Sequence, residues 1–262
     1  MRERRPLSAL DLFEAAKLQR WVRRSWLVQN AGLLSMRGLQ RIGVQTWGTK
    51  SFEFWTLLAS ALWLVRPRSI VELGSGRSTQ YLADYAMKES VPFISIEQSA
   101  GWARRVKRGL SAALVTPDVV HHVPLGSQGW YDVERLDALV RFECDCLFVD
   151  GPVGSQESLG RGARDGEVAR RWLTSRVRPV RLLVVDDVHR DENLSLLRLL
   201  VAEAGCLEPL FLSYRPGKGS LNVAALALEQ SASANLLASC DALGIAIVRE
   251  WPEPSEPVLA RK

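Results

Sequence analysis

Residues 69–79, SIVELGSGRST, constrain this chain more than any other stretch. Ile70, Val71 and Leu73 form a short apolar run suited to a buried strand, and Gly74 and Gly76 follow where the backbone has to turn tightly and let a ligand approach. Ser78 and Thr79 then open a helix whose first N–H groups have no partner of their own and face that ligand. An acid inside the strand, Glu72, precedes the first glycine. A phosphate-binding P-loop would need a Gly-Lys-Ser/Thr ending, and a dinucleotide fingerprint would need a third glycine where Thr79 stands. Neither is present.

Further apolar runs recur downstream, each closed by an acid. The run VPFISIEQS ends at Glu97, 21 residues after Gly76, which is one strand-helix-strand step and brings both loops to the same edge of a parallel sheet. A carboxylate there can accept both hydroxyls of a ribose. That role does not separate two adenosine cofactors, since NAD and S-adenosylmethionine present the same sugar. Residues 98–110 place Trp102, Val106 and Leu110 at helical spacing, an amphipathic helix directly after Glu97. Residues 145–152, DCLFVDGP, give a buried strand capped by Asp150, and residues 180–188, VRLLVVDDV, give another that ends in Asp186 and Asp187 and leads to His189 and Arg190. Two further apolar runs, 209–214 and 222–228, flank the glycine-bearing turn RPGKGSL and suit an antiparallel hairpin.

Taken in order, VELGSGRST, ISIEQS, FVDGP and VVDDVHR resemble the class I S-adenosylmethionine (SAM)-dependent methyltransferases, in particular bacterial small-molecule and sugar O-methyltransferases and, more distantly, the catechol type. The resemblance covers roughly residues 52–228. It implies an α/β fold with a Rossmann-like, mainly parallel seven-stranded sheet, an antiparallel C-terminal strand and helices on both faces. It also implies that Glu72, Gly74, Ser75, Gly76, Ser78 and Thr79 hold the amino-acid end of SAM, that Glu97 and Gln98 hold its ribose side, and that Asp150 faces the methyl group or the acceptor. A helix over 51–65 would border that site through Phe52 or Trp55, and Trp130 or Tyr131 would approach the adenine.

In the catechol type, an acid after the fourth strand and an Asp-Asn pair after the fifth bind Mg²⁺. The matching residues here are Asp150, Asp186 and Asp187, an oxygen-rich set that suits a hard cation. The pair is Asp-Asp, and no lysine follows Asp150 closely enough to copy that family's base. Asp150, Asp187 and His189 are therefore the candidate catalytic residues. His189 either takes a proton from the acceptor hydroxyl or serves the turn that starts the next helix.

The composition of 262 residues, 47% hydrophobic and 24% charged, fits one α/β domain with extensions. The expected organisation is a basic, tryptophan-containing helical extension over 1–50, the SAM-binding domain over 51–230, and a C-terminal helix and tail over 231–262. Residues 1–41 hold nine Arg or Lys against three acids, and the remainder is nearly neutral. Such a face, with Trp21 and Trp26, suits an anionic membrane surface or, the reading preferred here, a helix packed on the main domain. No nucleic-acid-reading motif accompanies the charge, so the expected partner is a small-molecule or sugar acceptor and not a nucleic acid. His121 and His122 are adjacent and point to opposite faces of a strand, which leaves them no joint metal role. The four cysteines lack metal-ligand spacing, and no secretory segment is visible, so a reducing cytoplasm is expected. The rival readings are an NAD-dependent oxidoreductase and a non-catalytic SAM-binding or membrane-surface scaffold. The sequence leaves the oligomeric state open.

Overall fold

The runs CLFV at Cys146–Val149 and LLVV at Leu182–Val185 become strands because a segment that is apolar at every position is stable only where helices cover both faces of a sheet. The computed structural model describes residues 52–112, 115–152, 166–214, 222–243 and 247–251. The expectations for residues 1–50, for Arg161, Arg164 and Asp165, and for the hairpin turn RPGKGSL lie outside them, as does the Phe52 side chain.

The strands are β1 (Ile70–Leu73), β2 (Phe93–Glu97), β3 (Val120–His122), β4 (Cys146–Val149), β5 (Leu182–Val185), β6 (Leu207–Tyr214) and β7 (Asn222–Glu229). They form one sheet in the order β3-β2-β1-β4-β5-β7-β6. The first five are mutually parallel, and β7 runs antiparallel to both β5 and β6. The fold is thus the expected Rossmann-like α/β arrangement, with β7 as its reversed strand.

The helices are α1 (Phe52–Val65), α2 (Arg77–Glu89), α3 (Ala100–Ala112), α4 (Val133–Leu139), α5 (Glu167–Val177), α6 (Asp191–Ala204) and α7 (Gln230–Leu243). Alternation along each strand splits the core in two. Ile70, Phe148 and Val184 pack with α1, α2, α3 and α7, while Val71, Leu147 and Val185 pack with α4, α5 and α6. Helix α4 carries no strong sequence signal and was not anticipated. Asp132 caps it by accepting the Arg135 N–H at 3.1 Å, and Leu136 is its buried anchor.

Cys144 precedes β4 and packs on the α4 side, whereas Cys146 packs on the α1 side. Burial pushes the Cys144 thiol up to about 12, so it stays protonated. Trp130 and Tyr131 lie in the loop between β3 and α4, but each is about 1% exposed and packed in the core, which leaves little of either ring for an adenine. Among the described residues no disulfide is formed, and no helix is long and apolar enough to cross a membrane.

Candidate functional site

The carboxyl ends of β1, β2, β4 and β5 meet at one edge, where open parallel sheets place their ligands. The ladder continues past the strands. Gly74 N–H donates to the Ile96 carbonyl, Asp150 N–H to that of Leu73 and Asp186 N–H to that of Val149, at 2.8, 2.8 and 3.0 Å. These bonds fix the loops after β1, β4 and β5 side by side.

Gly74 and Gly151 lie back to back. Gly74 has φ +92°, and a Cβ on it would stand 2.6 Å from the Gly151 nitrogen; a Cβ on Gly151 would stand 2.5 Å from the Tyr131 hydroxyl and 2.7 Å from Gly74 Cα. Neither position has room for any side chain. Gly76 differs. Its φ of −175° is extended backbone that any residue adopts, and a Cβ there would meet nothing within 4 Å among the described residues. The protein's own packing does not require glycine at 76, so the open space beside it is available to a ligand.

The underside of the turn is a buried hydroxyl network. Glu72, fully buried, accepts from Thr79 Oγ1 at 2.6 Å and from Ser95 Oγ at 2.5 Å, both at Oε2, and its Oε1 has no hydrogen-bond partner among the described residues. Thr79 Oγ1 in turn accepts the Gly76 N–H at 2.7 Å. Burial pushes the Glu72 carboxyl up to about 7, against the hydroxyls of Ser78, Ser95 and Thr79 and with help from the Asp150 charge. The side chains of Glu72, Ser78 and Thr79 therefore brace the turn from below, where they meet each other and not solvent.

The upper side is tied to β2. Ser75 donates to Glu97 Oε2 through its N–H at 3.1 Å and its hydroxyl at 3.0 Å, and Ser99 N–H donates to Oε1 at 2.8 Å. Oε1 keeps one lone pair for a ribose hydroxyl, whereas Oε2 gains room for a second only if the Ser75 hydroxyl turns away. Trp102 does not lie in the buried stripe foreseen for it. It is 36% exposed, and its Nε1–H donates to the Ser75 carbonyl at 2.8 Å, which fastens α3 to the turn. No sequence periodicity signals that bond. Gln98 presents its carbonyl to His122 Nε2 at 3.1 Å. Trp55 is buried and stacked on Tyr81, with ring centroids 4.4 Å apart, so it supports α2 from the core and does not line the edge.

With the N–H groups of residues 74–76 engaged, those of Arg77, Ser78 and Thr79 in the first turn of α2 are the ones a carboxylate would meet. Arg77 stands at the first helical position, half-buried, and burial lowers its pKa. A partly desolvated cation at the positive end of a helix favours an incoming anion. The residues present thus fit the amino-acid and ribose ends of SAM.

They do not fit a metal. Among the described residues no three of His, Cys, Asp and Glu gather in a way that could hold an ion, so the Mg²⁺ set Asp150, Asp186 and Asp187 is corrected. The physical reason is local. Asp187 adopts φ +57° and turns its carboxylate to Arg190, 3.1 Å away, while Asp186 is buried. The loop is closed by Asn193, which sequence reading missed: its Nδ2 donates to the carbonyls of Asp186 and Asp187 at 3.2 and 3.1 Å. Val188 N–H joins β7 at the Val223 carbonyl, 2.8 Å away. Next to it His189 is half-buried, and its Nδ1 is buried with no hydrogen-bond partner among the described residues.

No family model and no curated protein sequence matches this chain. Among solved structures, a human methyltransferase 10 domain containing protein is similar at 14% identity and TM-score 0.42 over 66% of this chain and 81% of its own. A delta-N METTL16 methyltransferase domain gives the same figures. The human METTL16 catalytic domain in complex with MAT2A 3′UTR hairpin 1 matches at 14% identity and TM-score 0.43, over 69% of this chain and 70% of its own. The expectation of a small-molecule or sugar acceptor that excludes nucleic acid is withdrawn here, because that last structure is a methyltransferase domain bound to an RNA hairpin.

Proposed function

We propose that this protein is a SAM-dependent methyltransferase that uses its β1–α2 turn and Glu97 to hold the cofactor. The observation that carries the reading is the contrast between the two glycines of the turn: Gly74 is required by the chain's own backbone, whereas the space at Gly76 is left open beside the Glu97 carboxylate. The reversed strand β7 supports SAM over a dinucleotide, whose folds usually lack it.

SAM, when bound, supplies the methyl group. The chain's part is to position and to manage a proton. Arg77 and the first N–H groups of α2 take the carboxylate end, and Glu97 Oε1 accepts a ribose hydroxyl. Asp150, half-buried after β4, marks the side from which the acceptor enters. His189 is the candidate proton acceptor, since its Nδ1 is buried and unused. Asp187 is a poorer one, because its carboxylate is turned to the Arg190 guanidinium, 3.1 Å away. The catechol-type route to oxygen is not part of the proposal, as the acid pair it relied on is engaged elsewhere.

Calorimetric titration with S-adenosylhomocysteine and with NAD tests the reading. Binding of S-adenosylhomocysteine that Glu97→Ala weakens at least tenfold is expected; binding of NAD alone, or of neither, overturns it.

A further inference from the structure

Helix α3 starts three residues after Glu97 and carries Arg104, Arg105, Lys107 and Arg108 with no acid anywhere in it. Ala103, Val106 and Leu110 turn toward the core, so at 3.6 residues per turn Arg104, Arg105 and Arg108 fan across the outer face and Lys107 stands at its margin. Arg104, Arg105 and Arg108 are exposed and Lys107 is half-buried.

The other cationic helix is finished differently. On α5 and just after it, Arg176 pairs with Asp137 at 2.6 Å and Arg178 with Glu203 at 3.9 Å. Among the described residues none of the α3 cations is in an ion pair. Arg104 repels Lys107 and Arg108 at i, i+3 and i, i+4, so the helix is destabilised by its own charges until an anion neutralises them. Their field reaches β3: burial first, and then the Lys107 ammonium, lower the His121 pKa against the opposing pull of Asp118.

The strip is also anchored to the site. Trp102 donates to the Ser75 carbonyl of the cofactor turn, and the Arg105 guanidinium lies 5.3 Å from the centre of its ring. A run of cations beside a partly exposed indole and its stacked arginine is the chemistry that tracks a phosphodiester backbone and stacks a base. An anionic membrane fits less well, since the face that points outward has no apolar residue besides Trp102 to insert.

We propose that the outer face of α3 docks a single-stranded nucleic acid and leads it to the cofactor turn, which makes that strand the methyl acceptor. The docking stands on α3 alone, and the acceptor role rests on the methyltransferase reading above.

The test measures anisotropy of fluorescein-labelled RNA and DNA strands of about 20 nucleotides against the full chain over a salt series, with phosphatidylglycerol vesicles as a third arm. The variant Arg104→Gln/Lys107→Gln/Arg108→Gln removes three cations and touches neither Trp102 nor the turn. Neutralising three phosphate contacts to a single strand lowers the log–log salt slope by about 2 and weakens binding about a hundredfold near 0.1 M salt. The control Arg135→Gln/Arg170→Gln/Arg171→Gln removes the same charge from α4 and α5, and a loss of only several-fold is expected. Binding of either strand type with that contrast supports the proposal. Absence of strand binding, equal losses in the two variants, or an α3 effect confined to vesicles overturns it. S-adenosylhomocysteine titrated into both variants separates the two readings: docking that persists in a protein that never binds it sinks the acceptor role and the methyltransferase reading together, and leaves the docking intact.

Discussion

The two edges of the one sheet are finished differently. At the amino edge, Asp145 is saturated. Arg181 grips it through Nε and Nη2 at 2.8 and 2.7 Å, Arg68 N–H donates to it at 2.7 Å, and its own N–H meets Ser69 Oγ at 2.9 Å. At the carboxyl edge, Glu72 Oε1, His189 Nδ1 and Asn193 Oδ1 are all buried with no hydrogen-bond partner among the described residues. A buried polar atom left unsatisfied destabilises a fold. The amino edge thus draws stability from Asp145, whereas the carboxyl edge keeps polar atoms that the described residues leave unused.

Four substitutions break or sharpen that contrast. The largest effect belongs to Gly74→Val, which places a branched side chain at φ +92° into the Gly151 backbone. A loss of about 4 kcal/mol or more is expected, read by urea melts, and a near-native melt would show that the two loops do not touch.

Asp145→Asn comes next and strikes the amino edge. It leaves Arg181, itself one-third exposed, without its charge partner, and a loss of about 2 kcal/mol is expected after discounting for solvent. Burial raises the Asp145 pKa, but Arg181 and Arg68 outweigh it and hold the group below its ordinary value. Its contribution is therefore present above the unfolded carboxylate pKa and is lost as pH falls through the folded one. Wild type should lose stability in acid more steeply than the variant, and parallel curves would refute this.

Glu72→Gln has the opposite sign. The folded Glu72 carboxyl titrates near 7, above its ordinary 4.5, so the unfolded chain releases its proton first and stability falls as pH rises between those values. The variant should be flat over that window and more stable than wild type at pH 8, on the order of 2 to 3 kcal/mol. Melting temperatures from pH 4 to 8 decide, and an unchanged slope in the variant counts against the assignment.

Gly76→Ala is the smallest in stability, about 1 kcal/mol or less in either direction, because its Cβ enters open space. Its effect belongs on binding, with S-adenosylhomocysteine affinity falling at least tenfold. Unchanged affinity would mean that no ligand uses the space at Gly76.

The strands and their closing acids were legible because a strand covered on both faces leaves an uninterrupted apolar run, as Cys146 to Val149 and Leu182 to Val185 do. The antiparallel pairing of the last two runs followed from the glycine-bearing turn between them. Contacts made by single polar groups across the fold were not legible. The bond from Trp102 to the Ser75 carbonyl spans 27 residues and leaves no periodic trace, and Asn193 on α6 reads as one more polar position until its amide is seen closing the β5 turn. The Asp186–Asp187 pair misled because spacing cannot tell a carboxylate turned to a metal from one turned to an arginine three residues on.

The contact between Gly74 and Gly151 limits how this site can change over generations. Most tight contacts in a protein are between side chains, and enlarging one can be offset by trimming the other. Here two main chains touch, with Tyr131 closing the remaining gap, so there is nothing to trim. No second substitution in either loop restores the fit, and drift at both positions is confined to an alphabet of one letter.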